Sequence, residues 1–510
     1  MANKIKHPFN SIFSWYIKKR IHQIDLFRKY PTEVQHETLF KLLGKAQQTE
    51  FGLKYDFSSI NTIDQYRNRV PINTYSDFEP YIKRLKKGEQ NILWPTEIKW
   101  FAKSSGTTTG KSKFIPVSRE SLEECHYKGG KDLLALYYNN HPKTKLFKGK
   151  HLILGGSSQL NYFSKDSYIG DLSAIIVENL PWWCEWRRTP KKQITLQSNW
   201  EKKIDEMAKT TINEDVYILA GVPSWTLVLL NKILENSRGK TIKDIWPNLE
   251  LYMHGGVDFN PYKKQFNNLI HSPNMNYVQT YNASEGFFGI QDEISSDSML
   301  MMLDYGMFFE FIPIESINES HPKTYLIEEI ELNKHYALVI SSNAGLWRYS
   351  IGDTIKFTSK FPFRFSVTGR VKSFINAFGE ELIIENAEKA IAHASSLTDT
   401  EIVDYTVGPV YMENGKKGTH QWLIEFKKPP SNLDYFTTIL DSELKKINSD
   451  YQAKRKDDLN MTLPIVQSMP ENTFYDWLKN NGKLGGQHKI PRLSNNRNLI
   501  ENILQNNDLN

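Results

Sequence analysis

The chain has 510 residues, 39% hydrophobic and 13% aromatic, enough apolar material for a large packed interior, which excludes a disordered chain or a small disulfide-stapled one. Lys and Arg number 64 against 58 Asp and Glu, a net charge of +6. Basic clusters such as Lys83–Lys87 sit in no recognisable binding module, so a nucleic-acid partner is not expected. Two cysteines, Cys125 and Cys184, stand far apart without a CxxC pair; they imply neither a disulfide framework nor a zinc site and fit a reducing cytoplasm. No apolar run approaches the ~20 residues that a bilayer span needs, so no membrane association is expected.

In chain order, Ile12, Phe13, Tyr16, Ile17, Ile21, Ile24 and Phe27 recur at helical spacing, which predicts a packed first helix and not a signal peptide. Thr32 with Gln35 reads as a capping-box start for a second helix carrying Leu39, Leu42, Leu43 and Ala46. Ser76 with Glu79 repeats the signal for a helix that stops at Gly88. Between them and residue 283, helical stretches alternate with the short apolar runs HLILGG, VYILAG, LELYMHGG and MNYVQTY. Alternation of that kind predicts parallel strands crossed by helices.

From Ser298 the pattern changes to MLMML, MFFEFIPI, TYLIEEI, HYALVISS, LWRYS, TIKFTS and FRFSV, strands without long helices. These predict an antiparallel sheet or partial barrel closing the large domain. After Val371 come a helix over Glu381–Ala394, a hairpin turning at Asn414 and Gly415, a helix over Leu433–Ile447, a strand MTLPIV and a helix FYDWLKN; the last dozen residues, rich in Asn, read as disordered. The expected fold class is α/β, with a large N-terminal domain of mixed sheets and a β-rich closing subdomain over residues 1–370. A small mobile α+β C-terminal domain is expected over residues 371–510.

The stretch Lys103–Ser118, KSSGTTTGKSKFIPVS, places hydroxyls, two glycines and three lysines between β-prone segments. It reads as a hairpin loop able to hold phosphate through hydroxyls, backbone N–H groups and Lys111 or Lys113, or else as a flexible turn. It is not a Walker loop, since the first glycine of that spacing falls on Ser105. Four more segments follow: Tyr281-Asn282-Ala283-Ser284-Glu285 after an apolar strand, Tyr349 to Asp353 with Gly352 placed for a turn, Gly369-Arg370 with Lys372 where a hinge would fall, and GGQHKIPR with Lys489 and Arg492. Each alone has an ordinary reading as a strand end, turn or tail. His254-Gly255-Gly256 closes a strand, and the chain has no G-x-S-x-G elbow or H-E-x-x-H helix. The tryptophan-rich Pro181–Arg188 reads as packed core or as an acyl-pocket wall.

The succession S-S-G-T-T-x-G, Y-x-A-S-E, Y-x-x-G-D, G-R-x-K and a late loop lysine resembles the adenylate-forming enzymes. More narrowly, from about Arg69 to Arg492 the chain is similar to the Gretchen Hagen (auxin-responsive promoter) family of acyl-acid amido synthetases. The resemblance implies that Ser104, Ser105, Gly106, Thr107 and Thr108 hold the ATP phosphates, that Tyr281 lies against adenine and that Ser284 meets the α-phosphate. It further implies that Glu285 binds Mg²⁺, that Asp353 takes the ribose hydroxyls with Arg370 close by, that Lys372 is the hinge and that Lys489 is the catalytic lysine. The implied activity is a ligase that adenylates a small carboxylic acid and transfers the acyl group to an amine, an amino acid by analogy. An acid:thiol ligase and a catalytically silent nucleotide-binding protein are the other readings. Ser350 stands where plant members usually carry arginine, and the plant acyl-pocket residues have no match here, so the resemblance names no substrate.

Overall fold

The computed structural model describes residues 8–104, 113–155, 161–164, 167–180, 185–197, 199–256, 259–317, 319–371, 374–375, 377–378, 380, 382–411, 418–455, 461–484, 489–494 and 496–507. The N-terminal helices are α1 (Pro8–Lys29), α2 (Pro31–Ala46) and α3 (Tyr75–Lys86). α2 starts with proline in its first turn and no side-chain cap, because the ring presets the helical φ and removes one unpaired N–H. The expected Thr32–Gln35 capping box therefore does not form. Gln35 is buried instead, donating to the Leu303 and Met307 carbonyls (2.8 and 3.0 Å) and accepting from Phe309 N–H (2.8 Å). α3 is capped by Thr74 and Asp77, not by Ser76 and Glu79: the Asp77 carboxylate accepts from Thr74 N–H at 2.8 Å.

A small sheet, in the order β2-β1-β5-β4, joins β1 (Trp100–Ser104), β2 (Lys113–Val117), β4 (Asn161–Ser164) and β5 (Ser167–Gly170). β1 and β2 pair antiparallel, Ser104 opposite Lys113, as the hairpin reading expects. α4 (Tyr127–Asn140) follows them. The alternating region forms β3 (Lys150–Ile153), β6 (Arg188–Thr189), α5 (Trp200–Thr211), β7 (Val216–Gly221), α6 (Pro223–Glu235), β8 (Leu251–Gly255), α7 (Asn260–Ile270) and β9 (Asn276–Ala283). All neighbouring strand pairs among these are parallel. The helices cover them with an apolar layer that includes Trp200, Trp225, Tyr252, Phe259 and Phe266.

The antiparallel strands are β10 (Gly286–Ile290), β11 (Met299–Met301), β12 (Met307–Pro313), β13 (His335–Ser342), β14 (Tyr349–Lys360) and β15 (Phe363–Arg370). They do not make a separate closing sheet. The order β12-β13-β14-β15-β11-β10-β9-β8-β7-β3-β6 is one continuous sheet, joined because β9 pairs parallel with β8 and antiparallel with β10. The last two residues of LWRYS run on into TIKFTS in the single strand β14, and TYLIEEI is no strand: among the described residues Tyr325 alone of it bridges, to Phe311. Its carboxylates serve turn and tertiary contacts, as where Glu329 accepts from Leu326 N–H at 2.7 Å.

The smaller C-terminal domain carries β16 (Phe374–Ile375), β17 (Leu382–Ile383), α8 (Ile384–Leu397), β18 (Glu401–Val410), β19 (Thr419–Lys428), α9 (Leu433–Ile447), β20 (Ile465–Met469), α10 (Thr473–Asn480) and α11 (Asn498–Asn507). The hairpin tip at Asn414 and Gly415 lies outside the described residues. Ile375, Leu382, Val407, Trp422, Phe436 and Leu440 are among the residues of its own apolar cluster. As far as it is described, the Asn-rich end is helical over Asn498–Asn507 and not disordered there, since α11 buries Ile500 and Ile503 against Phe474 and Trp477 of α10. Among the described residues no helix is long and apolar enough to cross a membrane.

Candidate functional site at the carboxyl edge of the sheet

Parallel register brings the carboxyl ends of β3, β7, β8 and β9 to one edge: Ile153 lies opposite Ala220, Gly221 opposite His254, and Gly255 opposite Thr280. Ligands of open α/β sheets bind at this edge, where strand order or direction changes. That change occurs at β9, and the turn after it consists of Ser284 and Glu285, both buried.

Across the change of direction, β14 and β15 face Asp353 toward Arg370 as cross-strand partners. Arg370 Nε lies 3.0 Å from Asp353 Oδ1, and the Tyr281 hydroxyl donates to Asp353 Oδ2 at 2.5 Å. β9 and β14 are separated in the sheet by β10, β11 and β15. Their side chains meet because the sheet twists and β11 between them has only three residues. Gly352 does not make a turn. It sits inside β14 at φ +90°, in an irregularity where Ser350 pairs with Val339 but Thr354 pairs with Ala337. Such a bulge re-aims the next side chain, Asp353, and the positive φ favours glycine.

Electrostatically this cluster sets the carboxylates Glu285 and Asp353 among the cations Lys113, Arg370 and Lys489. Burial and the nearby Asp353 raise the Glu285 carboxyl, with Lys113 and Arg370 opposing. Burial and Asp353 also push the Tyr281 phenol well up, so it stays a donor. Lys113, at the base of the hydroxyl loop, is therefore close enough to act on Glu285. Tyr349 is fully buried beside the same carboxylates, and its hydroxyl finds no hydrogen-bond partner among the described residues.

Lys489 enters from the C-terminal domain. Its ammonium donates to the Gly256 carbonyl, and a Cβ at Gly256 would lie 2.6 Å from Nζ. Gly256 also holds φ at +85°, so both backbone and space favour glycine there. Burial, with Arg370 adding to it and Asp353 opposing, lowers the Lys489 ammonium to about 8. The lysine read near the end of the sequence thus faces the Asp353–Arg370 pair.

Of the residues singled out from sequence, Tyr281, Ser284, Glu285, Asp353, Arg370 and Lys489 converge at this edge. Ser104 ends β1 opposite Lys113. Ser105, Gly106, Thr107, Thr108, Lys111 and Lys372 lie outside the described residues. Arg492 is held by the Asp404 carboxylate and the Tyr405 carbonyl (3.0 Å) and reaches the Tyr262 hydroxyl (3.1 Å). His254 is buried, held at about 3 by burial with Lys263 adding to it, and stacks on Phe259 at 4.2 Å. Of the tryptophan-rich stretch, residues 181–184 lie outside the described residues, and Trp186 is exposed and not core. Sequence reasoning missed the Gly256 carbonyl as the acceptor of Lys489; a glycine pair closing a parallel strand was the available signal.

Comparison with known proteins extends along most of the chain. The family models described as the N-terminal, central and C-terminal domains of the GH3 family match residues 20–275, 300–370 and 385–498. The chain is similar to the Arabidopsis thaliana indole-3-acetic acid-amido synthetase GH3.4 (23% identical, over 93% of this chain and 91% of that one). It is also similar to the jasmonoyl–L-amino acid synthetase JAR6 of Nicotiana attenuata (24%, 96% and 95%). A solved structure of the AtGH3.15 acyl acid amido synthetase in complex with 2,4-DB shares the fold, with a TM-score of 0.78 over 93% of each chain at 17% identity. The chain belongs to the GH3 family.

Proposed function

We propose that this protein is an ATP-dependent acyl-acid amido synthetase that activates a small carboxylic acid as its adenylate and transfers the acyl group to an amine, in particular an amino acid. The observation that carries this reading is the approach of Lys489, from the smaller domain, to Asp353 and Arg370 at the carboxyl edge of the large sheet. A protein that only binds nucleotide has no use for a cation delivered from a second domain. The curated relatives with which the chain shares nearly its full length are named as amido synthetases.

In this reading Ser104, Ser105, Gly106, Thr107 and Thr108 receive the ATP phosphates, and Ser284 the α-phosphate. Tyr281 flanks adenine, and Arg370 stands beside the sugar. Asp353 accepts the ribose hydroxyls; each carboxylate oxygen has a second lone pair beyond the bonds to Tyr281 and Arg370. The substrate carboxylate oxygen attacks the α-phosphorus, the bond to the β-phosphate oxygen breaks, and pyrophosphate leaves. No side-chain nucleophile is needed; alignment and charge stabilisation do the catalysis, with Lys489 donating to oxygens on which negative charge builds. The neutral amine then attacks the acyl carbon, loses a proton, and AMP departs. Lys372 serves as the hinge between the two steps, near the boundary of domains over residues 1–370 and 371–510.

The buried Glu285 carboxyl, near Asp353, fits a hard divalent cation, which takes one or two carboxylates with phosphate and water oxygens. Glu285 would hold Mg²⁺, which would supply charge neutralisation of the phosphates. The test is ATP–pyrophosphate exchange across a panel of carboxylic acids, followed by mass identification of products with an amino acid mixture or coenzyme A. Amide without thioester is expected. Thioester alone makes the protein an acid:thiol ligase, and no exchange with any acid refutes the reading.

A further inference from the structure

The run of chain that receives Lys489 also grips the domain that delivers it. After Gly256 the chain enters α7, whose Tyr262, Lys264 and Gln265 all contact the C-terminal domain. Gln265 Nε2 donates to the Ile402 carbonyl at 2.9 Å, Lys264 pairs with Asp399, and the Tyr262 hydroxyl accepts from Arg492 Nη2 at 3.1 Å. Arg492 in turn lies 4.5 Å from the Tyr405 ring centre and bonds the Asp404 carboxylate, so its guanidinium is fixed on β18 while one arm crosses to α7.

Backbone contacts hold the segment that follows Lys489 alongside β18, where Leu493 makes a parallel bridge with Val407. Val407 N–H donates to the Arg492 carbonyl (2.9 Å), Ser494 N–H to the Val407 carbonyl (2.9 Å), and Thr406 Oγ1 to the Pro491 carbonyl (2.6 Å). Ile490 is buried with α6 and α7, whereas Leu493 is buried in the C-terminal cluster. Lys489 lies three positions before Arg492 in this short segment, so a slip of Arg492 against α7 is passed to the Lys489 backbone.

We propose that Tyr262 and Arg492 are positioning residues: together they clamp the C-terminal domain on α7 with Lys489 seated at Gly256, and opening of the clamp frees Lys489 after adenylation. The proposal rests on the reading above that Lys489 serves the first half-reaction. It assigns to α7 a role separate from nucleotide contact, since Tyr262 is buried in an aromatic-rich cluster and, among the described residues, its hydroxyl bonds Arg492.

Tyr262→Phe keeps the ring in the core and removes only the acceptor. A hydrogen bond from a charged donor sets the scale at about tenfold, so pyrophosphate exchange falls by about that factor. The KM for ATP stays unchanged, and aminolysis of supplied acyl-adenylate is not slowed. Arg492→Lys, which lacks the second N–H arm, gives the same split. Unchanged exchange, or equal loss in both half-reactions, overturns the clamp. A second readout does not depend on turnover: brief labelling of the substrate-free full chain with acetic anhydride, read by mass at Lys489 relative to the exposed Lys446. Tyr262→Phe raises that ratio about fivefold or more, the scale of one lost hydrogen bond; an unchanged ratio overturns the proposal. If the native chain exchanges with no acid, the labelling still decides the clamp, while the failed exchange counts against the proposed activity alone.

Discussion

Two arginine–carboxylate pairs flank the start of β14 and are built to opposite ends. Arg348 meets Glu310 through two contacts of 2.9 Å, gives its remaining arm to the Arg67 and Val70 carbonyls, and shares Thr324 with the same carboxylate. Its side chain is 6% exposed and that of Glu310 1%. Five residues on, Asp353 pairs with Arg370, whose side chain is still 42% exposed. The first pair is closed on all sides and fixes where β14 begins; the second is open toward solvent and keeps acceptor capacity for a ligand. A buried, saturated pair organises a fold, and the same chemistry left open at a sheet edge makes a site.

The sharpest break of that contrast is Glu310→Ala. It strands a buried guanidinium and is expected to cost about 3–5 kcal/mol in urea unfolding, with exchange per folded molecule unaltered. Lys489→Ala should do the reverse: exchange falls about 10²- to 10³-fold, ~3–4 kcal/mol at the transition state, while the unfolding midpoint does not fall and rises below pH 8, because a buried charge is removed. Retained exchange in that variant would remove Lys489 from the mechanism.

Asp353→Asn tests the open pair directly. Losing a charged acceptor lowers kcat/KM for ATP by about 10- to 100-fold, and because Arg370 can be solvated, stability changes by less than about 1 kcal/mol. A stability loss as large as that of Glu310→Ala would make the two pairs equivalent and dissolve the distinction.

The smallest effect is in pH dependence. Lys489, lowered to about 8 by burial and by Arg370, loses its positive charge as pH rises through that value. The free protein's kcat/KM should therefore fall above about pH 8, and bound phosphates should move the same limb of kcat upward. For stability the sign is the opposite of a favourable pair: the cost of burying the charged lysine is present below pH 8 and is relieved as pH rises from there toward the unfolded-state value. Lys489→Ala should abolish both dependences, measured by exchange and by urea midpoints from pH 7 to 10.

Several residues were legible in the sequence because their chemistry is local. The β1–β2 hairpin follows from β-prone runs either side of a glycine-hydroxyl loop, and the parallel strands follow from apolar runs alternating with helical stretches. Tyr281, Glu285, Asp353, Arg370 and Lys489 stood out through the order of short motifs. Local signals misled where two readings share one pattern. Thr32-x-x-Gln35 matches a capping box, yet Pro31 already starts the helix and Gln35 is spent on the carbonyls of Leu303 and Met307. Gly352-Asp353 has the composition of a turn, yet it forms a bulge within a strand of 12 residues. The Asn-rich end lacks obvious hydrophobicity, but Ile500 and Ile503 are enough to seat a helix on α10.

By itself the sequence determined the alternation of elements, the position of the loops and the kinds of charge available, because helical and strand periodicities are written in neighbouring residues. Only the tertiary structure decided that the antiparallel strands continue the parallel sheet instead of closing it, since that depends on β9 accepting partners of opposite direction on its two edges. It alone brought Tyr281 to Asp353 across three intervening strands. It also set Lys489 on Gly256, a contact between residues 233 positions apart, because sheet twist and domain packing are properties of the assembled chain that no local window of residues contains.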